Sequence, residues 1–247
     1  MKIGIVVGEK SGDNLGAGLF KEVKKLLPNV TVEGVIGPKL SELGGNQWAS
    51  YDELSIMGII EPLKALPRLI KLRRELTNRW INDPPDIFIG VDAPEFNLTL
   101  EKNLKKAGIK TIHYVSPAIW AWRENRVRKI KKSVDKILCI LPFEPLIYEK
   151  YEISAKYIGH PLAETIPYHL NKENIRDELG VKTSSVIAIL PGSRVNEIRQ
   201  LGPIFVKTAK LMRKSNNNIS FIAPMASNDI KTLFKSIVNE YDMGKYF

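Results

Sequence analysis

The sequence predicts an α/β protein with two doubly wound, Rossmann-like domains. Short apolar, β-branched runs recur along the chain, and segments with helically spaced apolar residues lie between most of them. The repeated order of strand, helix and strand favours parallel sheets with helices on both faces. The alternation lapses between residues 159 and 171 and resumes near Val186, so we expect a first domain over residues 1–165 and a second, incomplete one over 166–247.

The individual elements follow from the same periodicities. Apolar runs predict strands at residues 3–7, 30–36, 87–91, 111–115, 136–141, 155–158, 186–190 and 219–223. Helical spacing predicts helices at 14–27, 60–80, 95–107, 123–132, 144–151, 172–179, 194–214 and 229–240. The first domain therefore has enough elements for a complete doubly wound sheet, whereas the second has two clear strands.

Composition is that of an ordinary globular protein. Of the 247 residues, 44% are hydrophobic and 26% are charged, and no apolar run is long enough to cross a bilayer. The amino-terminal run resembles a signal peptide, but Glu9 and Lys10 interrupt it, which favours a first strand. Cys139 is the single cysteine, so no intrachain disulfide can form and a reducing, cytoplasmic setting is expected.

A net charge of +10 indicates an anionic partner, for which nucleic acid, a membrane surface and a phosphorylated substrate are the candidates. The excess is concentrated in residues 63–79 and 123–132. The first stretch has the pattern of a basic amphipathic helix on a membrane, although a solvated face over a core explains either stretch alone. No recognisable nucleic-acid-binding motif accompanies the charge, so no nucleic-acid partner is expected. The membrane candidates are Met57, Ile59, Ile60, Leu63, Leu66, Arg68, Leu69, Lys71, Arg73 and Arg74.

Polar and aromatic residues follow two consecutive predicted strands of the first domain. Ligands of open α/β sheets bind beyond the carboxyl ends of the strands, so these side chains are expected around one crevice. They are Asp92, Asn97, His113, Ser116, Trp120 and Trp122. Asp92 is the candidate general base because a carboxylate at a strand end is well placed to remove a proton. A plain turn aspartate before Pro94 is the alternative, and His113 is a second candidate for the base.

The turn after the first strand is rich in glycine but matches no nucleotide-binding motif. Glu9 separates Gly8 from Lys10, which breaks the Walker pattern, and the following glycines lack the spacing of the dinucleotide fingerprint. A helix capped by Ser11 or Asp13 is the structural alternative.

A second turn, at the start of the predicted helix 194–214, has the features of an anion site. Gly192 and Ser193 allow close approach of the backbone, the helix start favours negative charge, and Arg194 offers a bidentate contact for phosphate. Glu197 lies on the first turn of the same helix. A serine cap followed by a surface arginine is the alternative.

Eight blocks of the sequence together resemble the lipid-A-disaccharide synthase family. They run in order over nearly the whole chain, and the most specific are Asp92-Ala93-Pro94 and Val115-Ser116-Pro117 with Trp120-Ala121-Trp122. The blocks lie at residues 8–13, 57–59, 90–97, 112–117, 120–123, 141–144, 158–161 and 190–194.

The resemblance implies a bacterial inverting glycosyltransferase of the two-domain B architecture, peripheral on the cytoplasmic face of the inner membrane. It implies transfer from a UDP-linked 2,3-diacylglucosamine to 2,3-diacylglucosamine 1-phosphate, with release of UDP. By the same matching, Asp92 is the base, Arg194 contacts the donor phosphate with Gly192, Ser193 and Glu197 beside it, and Glu9, Ser11, Gly12 and Asp13 border the cleft. No cofactor is expected, and the dispersed histidines His113, His160 and His169 lead to the hypothesis that no metal is used.

The resemblance also implies a longer protein. Family members continue past the position of Phe247 with a Ser-Gly-Thr block, so the chain is expected to be a fragment, the product of a disrupted gene or one half of a split enzyme. Without that segment we expect no sugar transfer. A related UDP-sugar enzyme of the same architecture and an inactive lipid-binding remnant are the remaining alternatives.

Overall fold

A computed structural model describes residues 1–54, 61–119, 126–181 and 185–247, with only the backbone for 61–65. The chain divides into two compact units, Met1–Ile166 and Pro167–Phe247. Each unit has its own sheet and its own apolar core.

The first unit is a seven-stranded sheet in which every strand pairs in parallel with its neighbours. Its strands are β1 (Lys2–Val7), β2 (Thr31–Ile36), β3 (Asn46–Ser50), β4 (Ile87–Val91), β5 (Thr111–Tyr114), β6 (Lys136–Cys139) and β7 (Ala155–Tyr157). Its helices are α1 (Lys10–Leu26), α2 (Pro38–Glu42), α3 (Glu61–Asn82), α4 (Pro94–Lys106), α5 (Val127–Ser133), α6 (Glu144–Glu149) and α7 (Leu162–Thr165).

The strand order β3-β2-β1-β4-β5-β6-β7 places a topological switch point between β1 and β4. The chain runs outward from β1 in one direction and from β4 in the other, so the turns after these two strands diverge to either side. Doubly wound sheets bind ligands in the crevice at such a point.

Both faces of the sheet are buried, which explains the nearly continuous apolar strands. On one face, Ile3 and Ile5 of β1 pack with Leu15 and Phe20 of α1. On the other face, Val6 of the same strand packs with α3 and α4 residues that include Trp80. Alternate residues of one strand therefore hold helices on opposite faces.

The second unit contains α8 (Lys172–Glu178), β8 (Ser185–Ala188), α9 (Val195–Ser215), β9 (Ile219–Ile222) and α10 (Asn228–Glu240). Strands β8 and β9 form a two-stranded parallel sheet. Phe221 of β9, Ile198 and Val206 of α9, and Phe234 of α10 belong to its core.

The α/β class with parallel sheets is confirmed, and four local features differ from the sequence expectations. Strand β3 and helix α2 were not predicted, since the stretch 38–50 contains few apolar residues at regular spacing. The short helix α7 lies in the stretch 159–171, where no element was predicted. Helix α1 begins at Lys10, so its cap is Glu9 rather than Ser11 or Asp13. The glycine-rich segment is thus mostly the first turn of a helix.

Candidate active site

The turns that follow β1 and β4 are in direct contact at the switch point. A Cβ added to Gly8 would lie 2.4 Å from the Cβ of Ala93, closer than two carbons can approach. Gly12, buried in the first turn of α1, packs over Val7 and Val91 at ordinary contact distance. Glycine at position 8 therefore lets the two strand-end turns meet, and the residues after both strands border one site.

Asp92 and Ala93 hold the turn after β4 in an unusual backbone conformation. Their φ angles are 53° and 44°, in the left-handed region that costs non-glycine residues about 1–3 kcal/mol each. The N–H of Asp92 donates to the carbonyl of Tyr114 on β5 at 2.8 Å, and Pro94 starts α4 directly afterwards. This strain turns the Asp92 side chain out of the regular strand pattern at the carboxyl end of the sheet.

The Asp92 carboxyl is half-buried, and burial is the main cause that raises its pKa above the ordinary value. The Ala93 N–H and the nearby His113 lower this pKa, whereas the charge of Glu9 raises it. A carboxylate with a raised pKa binds a proton more strongly, which makes it a better general base as long as it remains ionised.

Asn97 and His113 lie beneath this turn, with no exposed side-chain surface. The Asn97 amide donates to the Asp92 carbonyl at 2.8 Å and to the Val6 carbonyl at 3.3 Å. Nδ1 of His113 is 2.7 Å from Oε1 of Glu101 on α4, a residue that is also fully buried. His113 therefore reaches no solvent in this conformation, whereas Asp92 is partly exposed.

The residues after β1 divide into accessible and buried ones. Ser11 is exposed and donates to Oε1 of Glu9 at 2.6 Å. Asp13 is buried, and its carboxylate accepts from the N–H groups of Gly37, Lys39 and Leu40 at the start of α2. Ser11 is thus exposed and Glu9 half-buried, and Asp13 instead fixes the neighbouring turn after β2.

Ser116 follows β5 and belongs to a second buried polar contact. Its hydroxyl is 2.9 Å from that of Tyr148 on α6, and Tyr148 also donates to the Pro117 carbonyl at 3.3 Å. Val115, immediately before, has a φ of 75°, a rare conformation for a β-branched residue. The turn leads towards Trp120 and Trp122, which lie outside the described residues.

The predicted anion site forms one turn in the second unit, and Glu197 fills part of it. The Glu197 carboxylate accepts from the N–H groups of Ser193 at 2.9 Å and Arg194 at 3.2 Å. Both bonds lower the pKa of Glu197 below its ordinary value, and the bond from Ser193 has the larger effect. Gly192, with φ 130°, is required because an added Cβ would lie 2.5 Å from that of Glu197. The Arg194 side chain is 54% exposed, and Ser193 beside it is exposed as well.

The predicted membrane helix has two different faces. Leu69 packs against the core, and the Arg73 guanidinium lies 5.5 Å from the centre of the Phe96 ring. Arg68 donates to the carbonyl of Glu53 at 2.8 Å. The exposed residues of this helix include Leu66, Arg68, Ile70, Lys71 and Arg74. Met57, Ile59 and Ile60 lie outside the described residues, as does the side chain of Leu63.

Two general features complete the description. In the parts of the chain that the structure covers, no group of three or more His, Cys, Asp or Glu side chains is arranged to hold a metal ion. No helix of those same parts is both long and apolar enough to cross a bilayer.

Sequence reasoning missed Glu101 and Tyr148. Glu101 lies four residues after Asn97, so both project from one face of α4, and a glutamate at this spacing inside an otherwise apolar face was the available signal. Tyr148 has no comparable signal, since its contact with Ser116 spans 32 positions.

The parallel sheets and the helices that cover them define a Rossmann-like α/β protein. The structure is similar to UDP-GlcNAc 2-epimerase from Neisseria meningitidis bound to UDP-GlcNAc, with a TM-score of 0.64, 14% identity, and coverage of 98% of this chain and 70% of that one. It is also similar to UGT89C1 from Arabidopsis thaliana complexed with UDP, with a TM-score of 0.52, 14% identity, and coverage of 92% and 65%. At these identities the likeness concerns the fold alone.

Sequence comparison is more specific. The family model for lipid-A-disaccharide synthetase matches residues 3–245. Lipid-A-disaccharide synthase from Idiomarina loihiensis is 47% identical over 241 residues, which are 97% of this chain and 64% of that protein. The Francisella tularensis subsp. tularensis enzyme is 45% identical over 245 residues, 98% of this chain and 64% of that protein.

The chain therefore belongs to the lipid-A-disaccharide synthetase family, which confirms the resemblance found in the sequence. It spans slightly less than two-thirds of the length of these relatives.

Proposed function

We propose that this chain carries the acceptor-side site of a glycosyltransferase that forms the lipid A disaccharide. The donor is a UDP-linked 2,3-diacylglucosamine, the acceptor is 2,3-diacylglucosamine 1-phosphate, and the products are the disaccharide 1-phosphate and UDP. The observation that carries the proposal is Asp92, a half-buried carboxylate in a strained turn at the switch point of a member of this family.

In the proposed reaction, Asp92 accepts the proton of the acceptor's primary hydroxyl. The hydroxyl oxygen forms a bond to the anomeric carbon of the donor on the face opposite UDP, and the bond from that carbon to the diphosphate oxygen breaks. Configuration is thereby inverted, and UDP leaves with the bonding electron pair. Glu9 and Ser11 border the acceptor, while the Arg194 guanidinium stabilises the charge that develops on the diphosphate.

The exposed part of α3 supports a further element of the proposal, attachment to the cytoplasmic face of the inner membrane. Leu66 and Ile70 are each nearly half exposed one helical turn apart, with the basic residues Lys71 and Arg74 beside them. Such a surface attracts anionic lipid and brings the site to its acylated substrates. Replacing Leu66 and Ile70 by serine is expected to weaken co-sedimentation with anionic vesicles, whereas Leu211→Ser, an exposed leucine of the second unit, leaves it unchanged.

This membrane proposal predicts that raising the salt concentration releases the parent chain, because the attraction is partly screened charge. Binding that ignores both lipid charge and the serine substitutions would contradict it.

The catalytic proposal is tested by measuring UDP release from the two acylated glucosamine substrates. The chain is assayed alone and joined to the part of the Idiomarina loihiensis relative that it does not span. In the active form, Asp92→Asn is expected to lower turnover by about two to four orders of magnitude, as for loss of a general base. Asp86→Asn, at the opposite end of β4, is the control and keeps parental turnover. Near-parental turnover of Asp92→Asn would refute the assignment of the base.

A further inference from the structure

Asn97 ties together the two strand ends that border the site. Its amide nitrogen donates to the carbonyl of Asp92, at the end of β4, and to the carbonyl of Val6, near the end of β1. The side chain is completely buried, so it meets no ligand itself. It acts instead on the left-handed turn, whose conformation needs support from surrounding contacts.

Glu101 and His113 lie next to this amide. His113 on β5 is the register partner of Gly90 on β4. Gly90 has no side chain, and the Glu101 carboxylate uses the space, since a Cβ there would lie 2.2 Å from Oε1 of Glu101 and 3.0 Å from the Cβ of Asn97. The three polar side chains are therefore stacked directly under the Asp92 turn.

Burial of this polar cluster in the core is energetically unfavourable. Oδ1 of Asn97, Oε2 of Glu101 and Nε2 of His113 are buried without a hydrogen-bond partner among the described residues. Each such atom costs about 1–3 kcal/mol, and apolar side chains of similar volume often give equal or greater stability. Stability alone does not explain the cluster, and its position under the candidate base suggests a role in the reaction.

We propose that Asn97, Glu101 and His113 are positioning residues for Asp92. Asn97 holds the backbone of the turn through its two amide hydrogen bonds, and Glu101 holds His113 in place beneath the same turn. The inference rests on the proposed function for its consequence in catalysis, but the effect on Asp92 itself can be measured without turnover.

Two neighbouring side chains shift the pKa of Asp92 in opposite directions, which makes the effect testable. Among the described residues, His113 on β5 lowers this pKa and Glu9 after β1 raises it. Loss of the His113 side chain removes its lowering effect, so the Asp92 pKa must rise. Loss of the Glu9 charge must lower it.

The first experiment follows the Asp92 carboxyl carbon by NMR titration in the 247-residue chain, with Asp92→Asn used to assign the signal. In His113→Gln the Asp92 midpoint is expected to move to higher pH by about half a unit or more, and in Glu9→Gln to move lower. Glu101→Gln, which keeps the side-chain volume, should act as His113→Gln does and replaces it if that variant does not fold. Thr111→Val, at the far end of β5, is the matched control and leaves the midpoint unchanged.

A midpoint that stays in place in both His113→Gln and Glu101→Gln would overturn the role of the pair. The NMR result does not depend on whether the protein transfers sugar. Failure of the proposed function is detected by a separate measurement, in which the parent releases no UDP.

The second experiment separates positioning from folding at Asn97. In the active form, Asn97→Leu is expected to lower kcat by about 100-fold with KM nearly unchanged, since a misplacement of about 1 Å has this effect. The acidic limb of the pH profile should move to higher pH in Glu101→Gln and stay in place in Thr111→Val. Parental kcat in a folded Asn97→Leu would overturn the inference. If Asn97→Leu does not fold, the inference is overturned instead when the acidic limb of the Glu101→Gln pH profile stays at its parental position.

Discussion

Replacing Gly8 by alanine is expected to push apart the two turns of the candidate site. The added Cβ would lie 2.4 Å from the Cβ of Ala93. Carbon atoms in contact are about 3.5–4.0 Å apart, so the turns must separate by about 1–1.6 Å. Overpacking of this kind costs about 1–3 kcal/mol of unfolding free energy. A displacement of this size at the base also lowers turnover of the active form by about 100-fold.

The stability change is measured by denaturant unfolding followed by tryptophan fluorescence, because all four tryptophans lie within the first unit. Gly18→Ala is the matched control on the same segment of chain. It lies inside α1 with nothing within 4 Å of an added Cβ, so it should stabilise the unit by about 0.5–1 kcal/mol. The two substitutions therefore have opposite predicted signs. Equal unfolding midpoints for Gly8→Ala and the parent would refute the close contact between the turns.

Two further predictions concern other parts of the chain. Burial raises the pKa of the Cys139 thiol to about 12, so a thiol reagent at pH 8 should label it only as fast as the first unit unfolds; rapid labelling under native conditions would contradict this. The pKa of Glu197 is lowered in the folded state, so its contribution to stability is present above the ordinary value of 4.5 and is lost as the pH falls through the folded value. Glu197→Gln should therefore unfold the second unit more readily at pH 7 and show less dependence on pH below 4.5, as followed by circular dichroism; a parental pH dependence would refute the role.

The order of the central elements could be predicted because both faces of the sheet are buried. Strands such as 3–7 and 87–91 are then nearly continuous apolar runs, and the helices between them carry an apolar stripe. Strand β3 could not be predicted in this way, because it is an edge strand with the sequence Asn46–Ser50 and no fully buried residue. Its place in the sheet depends on pairing with β2, which is a tertiary contact.

The candidate site was predictable to a similar degree. Strand ends indicate which residues are near the crevice, and Asp92, Asn97, His113 and Ser116 do follow β4 or lie at the end of β5. Sequence position does not say which of them are accessible. Asn97 and His113 are buried because α4 covers them, and that follows only from how the helix packs on the sheet.

The two ends of the first sheet have different physical properties, and the difference supports the carboxyl end as the candidate site. At the amino end of β5, the buried Thr111 is fully satisfied, since its hydroxyl donates to Ser133 and its N–H donates to Asp135. At the carboxyl end of the sheet, by contrast, the chain is strained at Asp92 and Val115. Backbone strain reduces stability, and it persists only where the surrounding structure supports it. The hydrogen bonds at the amino end thus stabilise the unit. That stability offsets the strain at the carboxyl end, where Asp92 is held in a conformation that an unstrained turn would not allow.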